Sequence, residues 1–140
     1  MLEIRPYKPE DRESVVGLWK ECGLLRPSND PFKDIARKQR AGGHLFLVGL
    51  AEGHIVAVVM AGYEGHRGWL NYVAVSPSHQ KRGFGRHMIR EAEARLAAEG
   101  CPKVNLQVRT TNTEAIKFYA AIGYKQDDVL SFGKRLEYDN

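Results

Sequence analysis

Residues 72–86 read YVAVSPSHQKRGFGR. An apolar strand, Trp69 to Val75, runs into the turn Ser76-Pro77-Ser78, and Gln80-x-x-Gly83-x-Gly85 then opens an amphipathic helix with no gap. A glycine-bearing loop at a helix start leaves main-chain N–H groups unpaired beside the positive end of the helix dipole. Lys81, Arg82 and Arg86 add positive charge around it. This order of elements builds an anion site suited to a phosphate-bearing cofactor. Two glycines at a helix start also serve plain packing, so the loop alone leaves that alternative open.

Outward from this stretch, the pattern gives one mixed domain. Leu2–Tyr7 reads as a first strand, and Glu10–Cys22 as a helix with Val15, Leu18, Trp19 and Cys22 on one face. Gly23 stops it. Asp30-Pro31 is an N-cap followed by proline at the first helical position, opening a second helix to about Arg40. Leu45–Glu52 and Ile55–Tyr63 are apolar, β-branched runs joined by a short hairpin turn, and a second turn, Glu64 to Gly68, leads back to Trp69–Val75. The helix after the glycine loop carries Gly85, Met88, Ile89, Ala92 and Leu96 on one face and ends at Gly100 and Pro102. Val104–Arg109 is a strand, Thr113–Ile122 a short helix, and Tyr124–Gln126 and Val129–Glu137 are two closing strands. The expected fold class is α+β (mixed α/β): a mostly antiparallel sheet with one parallel β-α-β crossover, flanked by four helices. Ligands in such sheets sit beyond the carboxyl end of the strand that feeds the helix.

Composition bounds the function. The chain has 140 residues, 43% apolar and 27% charged, as in ordinary globular proteins. No linker, repeat or low-complexity stretch divides it, so a single domain over residues 1–140 is expected. Its apolar runs are too short to span a bilayer, and MLEIRPYK lacks a signal-peptide core, which points to a cytoplasmic protein with no membrane partner. Cys22 and Cys101 read as free, mostly buried thiols, and the five histidines show no ligand spacing, so no metal is expected. The net charge of +4 is spread along the chain with no aromatic-and-basic module, which argues against nucleic acid. The loop is not a P-loop, since GxxxxGK[ST] is absent, nor a dinucleotide fingerprint, since the third glycine is missing.

The second constellation is Asn112-Thr-Glu-Ala115-Ile-Lys-Phe118-Tyr119-Ala-Ala-Ile122-Gly123-Tyr124. With SP-x-HQ-x-x-G-x-G upstream, it resembles the GNAT superfamily of acyl-CoA-dependent N-acyltransferases over nearly the whole chain. LLRPSNDP, GYEGHRG, GCPK and VLSFGKRL make the bacterial YpeA-like branch the closest likeness. The resemblance implies acetyl-CoA as donor and a bulged strand diverging from its neighbour. The pantetheine arm would lie along Val73, Ala74 and Val75. The amides of Lys81, Arg82, Gly83, Phe84, Gly85 and Arg86 would hold the pyrophosphate, Asn112 would touch the cofactor, and Tyr119 would protonate the leaving thiolate. The alternative for Tyr119 is ordinary packing, since it shares a face with Ala115 and Ile122, and the alternative for Asn112 is a plain helix N-cap.

The base is less defined. An alkyl ammonium with pKa near 10.4 is neutral at pH 7 in only ~1 molecule in 2,500, a cost of roughly 4.6 kcal/mol. Glu64, and after it His66, stand in the turn before the cofactor strand and are the carboxylate and imidazole nearest by topology. Arg26, Asn29 and Asp30 are candidates for the acceptor pocket. The expected activity is acetyl transfer to a primary amine, on a small molecule or a protein, by a monomer or homodimer. The alternative is an acyl-CoA-binding regulatory module without turnover.

Overall fold

The computed structural model describes residues 1–140. Its strands are β1 (Glu3–Pro6), β2 (Phe46–Ala51), β3 (His54–Tyr63), β4 (Gly68–Val75) and β5 (Val104–Leu106), and its helices α1 (Arg12–Glu21), α2 (Pro31–Gly42), α3 (Phe84–Ala98) and α4 (Thr113–Ala121). They form one five-stranded sheet in chain order, antiparallel from β1 to β4, with β5 parallel to β4 after the α3 crossover. The mixed α/β class, the crossover and the four helices are as the sequence pattern implies.

Alternation along the central strands sends side chains to two cores. Phe46, Val48, Val58, Met60 and Ala74 face α1 and α2, packing on Val15, Leu18, Trp19 and Ile35. Leu47, Val59, Ala61 and Leu70 face α3, where Met88, Ile89, Ala92 and Leu96 are fully buried. Both apolar helix faces are those the 3.6-residue period picks out. Asp30 caps α2 as expected, accepting from the N–H groups of Phe32 and Lys33 at 2.9 and 3.3 Å.

The end of the chain differs from expectation. No strand forms in Tyr124–Gln126 or Val129–Glu137. A strand exists only where its main chain finds a ladder, and the tail instead meets the residues that flank β5 through side chains: Lys103 to Asp127 at 2.9 Å, and Gln107 to Ser131. Further on, Arg135 donates to Asn29 at 2.8 Å, and Arg37 binds Glu137 at 3.0 Å and Asp139 at 2.6 Å, which ties the tail to α2. Val129, Leu130, Phe132 and Leu136 are left exposed. The thiols are also less buried than expected; both are intermediate, with Cys22 donating to Val75 O at 3.3 Å.

One ion pair joins β1 to the start of α1. Asp11, 6% exposed, accepts from both Arg5 Nη atoms at 2.7 and 3.0 Å and from Lys8 N at 2.8 Å. The Arg5 bond outweighs burial and, with the Lys8 N–H, holds the carboxyl below its ordinary range. Its stabilisation is therefore complete above the unfolded value of about 3.9 and is lost as pH falls through the lower folded value. Asp11→Asn is expected to cost about 2 kcal/mol in urea denaturation at pH 7. The deficit should shrink in acid as the wild-type carboxylate is protonated, and an equal deficit at both pH values would refute the ionic role.

Candidate active site

The sheet opens where two departures from regular pairing coincide. Val58 faces Ala74 while Met60 faces Asn71, so Val59 alone stands against both Tyr72 and Val73. Tyr72 absorbs the extra residue with φ of 53°, a bulge that bends β4. On the other side, pairing with β5 ends at Leu70 opposite Leu106. From Asn71 to Val75, β4 therefore has an edge with no β5 partner. The bulge is held from beneath: the Tyr72 ring stacks on Trp19 at 3.9 Å, and its hydroxyl donates to Asp34 at 2.6 Å.

Past Val75 the chain is fixed by three bonds at the strand end. Ser76 N donates to Val56 O at 2.7 Å, and Gln80 Nε2 and Cys22 Sγ both donate to Val75 O, at 3.2 and 3.3 Å. The loop then turns through left-handed positions at Lys81 (φ 65°) and Gly83 (φ 79°), the latter the N-cap of α3. The first bond of the helix runs from His87 N to Gly83 O at 3.0 Å. The N–H groups from Gln80 to Arg86 donate to no protein acceptor, and Lys81, Arg82 and Arg86 pair with no carboxylate. Free donors at a helix start among free cations suit a diphosphate. Gly85 has a packing role besides: a Cβ there would come within 3.2 Å of the Phe118 ring, so glycine lets α4 lie close against the start of α3.

That contact places Tyr119. Its ring meets Phe118 and Tyr124 edge-on, with centroids at 5.1 and 5.8 Å, against the α3-side core that Val73 and Val75 also touch. Tyr63, Tyr72 and Tyr124 give their hydroxyls to protein acceptors; the Tyr119 hydroxyl has none. Burial pushes its pKa up to about 12, which keeps the O–H intact at neutral pH. Asn112 caps α4, its Oδ1 accepting from Ala115 N at 3.1 Å, and its amide nitrogen is left free.

Glu64 is not brought to the opening. It is exposed in the β3–β4 hairpin, and its carboxylate accepts from the N–H groups of Arg67 (2.5 Å) and His66. Those bonds, Arg67 first, lower its pKa and make it a weak base. The turn lies at the beginning of β4 and the opening at its end. His66 shares that exposed turn.

On the α1–α2 face, the opening continues into a cleft of about 620 Å³. Arg26 and Asn29 line it as expected, whereas Asp30 does not. Four residues missed in the sequence also line it: Asp34, Lys38, Gln107 and Arg109. A signal was present, since Asp34 and Lys38 are one turn apart on α2, and Gln107 and Arg109 alternate with Leu106 and Val108 in the segment that leaves β5. No three His, Cys, Asp or Glu side chains are grouped to hold a metal, and no helix is long and apolar enough to cross a membrane.

Known proteins share the family pattern and the fold. Residues 10–124 match the profile of the Acetyltransferase (GNAT) family. A Yersinia pestis protein named acetyltransferase is 45% identical over 138 residues, spanning 99% of this chain and 98% of its own length. Among solved structures, AAC(6')-Iy bound to the bisubstrate analog CoA-S-monomethyl-acetylneamine has a similar fold: TM-score 0.78, 20% identity, 96% of this chain and 99% of that one. So does the ribosomal-protein-S18-alanine N-acetyltransferase of Escherichia coli, with TM-score 0.77, 21% identity, and 91% and 79% of the two chains.

Proposed function

Since the chain belongs to the acetyltransferase (GNAT) family, we propose that it moves an acetyl group from acetyl-CoA to a primary amine by direct attack in a ternary complex. The observation that carries this reading is the unpartnered edge of β4 running straight into a loop of free N–H donors. Acetyl-CoA, when bound, supplies the activated acyl carbon and a thiol leaving group. The amides of Lys81, Arg82, Gly83, Phe84, Gly85 and Arg86 grip its diphosphate, with the side chains of Lys81, Arg82 and Arg86 adding charge. Val73, Ala74 and Val75 offer main-chain groups to an extended amide-bearing arm, as a sheet edge does to an added strand. Asn112 holds the arm from the α4 side with its free amide nitrogen. Tyr119 donates its O–H toward the departing sulfur. Glu64 takes no part; the proton of the amine leaves to solvent through the cleft. The whole chain, residues 1–140, acts as a single domain in this reading.

Calorimetric titration with acetyl-CoA tests the core of the proposal. Binding is expected for the wild type, and no heat at millimolar concentration would sink the reading. Gly83→Val forces a β-branched residue into the left-handed region, at about 1–2 kcal/mol or more. If the loop moves to relieve that strain, the amides lose alignment, and acetyl-CoA affinity should fall by about tenfold. An unchanged affinity would remove the loop from the site.

A further inference from the structure

The cleft on the α1–α2 face has an uneven charge balance. Of the lining side chains that carry charge at neutral pH, Asp34 is the one anion, against Arg26, Arg37, Lys38 and Arg109. Asp34 is already engaged at both oxygens, accepting from Tyr72 at 2.6 Å, Arg37 at 3.0 Å and Asn29 at 3.2 Å. Arg37 binds three carboxylates, Asp34, Glu137 and Asp139, so that cluster is net negative by itself and offers no free cation to a ligand. That leaves Lys38, Arg109 and Arg26 facing the cleft with no carboxylate partner. Arg26 donates only to the carbonyls of Gly23 and Leu25.

Lys38 is the most telling of the three. It is half-buried over β3, where a Cβ added to Gly62 would lie 3.0 Å from its Nζ. A partly buried ammonium with no counter-ion is unfavourable unless something pairs with it. Burial lowers its pKa, and the more distant Glu99 only partly opposes this.

We propose, resting on the acetyl-transfer reading above, that the acceptor is an amine whose own molecule carries an oxyanion, a carboxylate or a phosphate, bound by Lys38 from α2 and Arg109 from the chain after β5. The oxyanion supplies the counter-charge that the cleft lacks. The same positive field disfavours a protonated amine and so favours the neutral nucleophile, in a site where Glu64 is out of reach. In the transfer itself the amine nitrogen bonds to the acyl carbon, the carbon–sulfur bond breaks, the nitrogen loses a proton to water and the sulfur gains one. Polycationic acceptors such as polyamines and aminoglycosides are selected against.

The test uses matched acceptors: an amino acid with its amide, phosphoethanolamine with ethanolamine, and a polyamine and an aminoglycoside as cationic controls. Thiol release gives kcat/KM, and calorimetry on the CoA-bound protein gives affinity for the same compounds. The oxyanion-bearing member of a pair should win by about tenfold, the size of one charge-assisted contact. The two pairs also tell carboxylate from phosphate. Lys38→Glu should erase or invert that ratio, and so should the exposed Arg109→Glu, which keeps the test valid if Lys38→Glu does not fold. Equal kcat/KM within both pairs, or preference for the polycations, overturns the inference while leaving acetyl transfer intact. If no acceptor turns over, tighter binding of the oxyanion members, lost in the variants, upholds the cleft chemistry and overturns the transfer reading. Equal binding within the pairs overturns the inference.

Discussion

Tyr119→Phe is expected to lower turnover by about a hundredfold, the usual size for one lost hydrogen-bond donor to a developing negative charge, while acetyl-CoA affinity stays within about twofold. The ring contacts with Phe118 and Tyr124 survive in phenylalanine, so packing is not what the substitution tests. What goes is a hydroxyl that no protein group uses. With a pKa near 12 it stays protonated across the working range. That value also defines its task, because a free thiol ionises near 8.5. A phenol so much weaker as an acid steadies the developing thiolate by hydrogen bonding and is not expected to end deprotonated. The wild-type rate should therefore show no tyrosine limb near neutral pH. Initial-rate kinetics on both proteins decide the matter, and an unchanged rate would reduce Tyr119 to a core residue.

Trp19→Ala carries the largest expected loss of stability, about 3–5 kcal/mol for a fully buried aromatic. Trp19 lies between Phe46 at 6.3 Å and Tyr72 at 3.9 Å, so its removal empties the α1-side core and also takes the support from the β4 bulge. Its indole Nε1 has no hydrogen-bond partner. Trp19→Phe discards that unpaired donor and should cost much less. Urea denaturation of the two variants measures the contrast; an alanine variant within about 1 kcal/mol of wild type would mean that the site is not held through this stack.

The elements with strong periodicity were legible from the chain. The α3 face, the α1 face and the cap at Asp30 follow from local chemistry, and the structure places them as the pattern implies. The loop at Gly83 was also readable, because a glycine in a left-handed position at a helix start leaves a local mark. Glu64 is near the cofactor strand along the chain, but in the sheet it stands at the turn end of β4, away from the residues past Leu70. Lys38 and Arg109 were overlooked for the reverse reason, since α2 and the chain after β5 meet only once the sheet has folded. The tail reads as strand on side-chain propensity alone, yet its main chain has no ladder to join. Propensity records what a residue tolerates and says nothing of whether a neighbour is present.

The divergence of β4 from β5 has a kinetic meaning. The loop of free amides belongs to the α3 side of the sheet, and the cleft opens on the α1–α2 side, so a donor and an acceptor bound as proposed would reach one point through separate doors. On the proposed acetyl-transfer reading, neither would have to pass the other to leave, and the products could be released in either order.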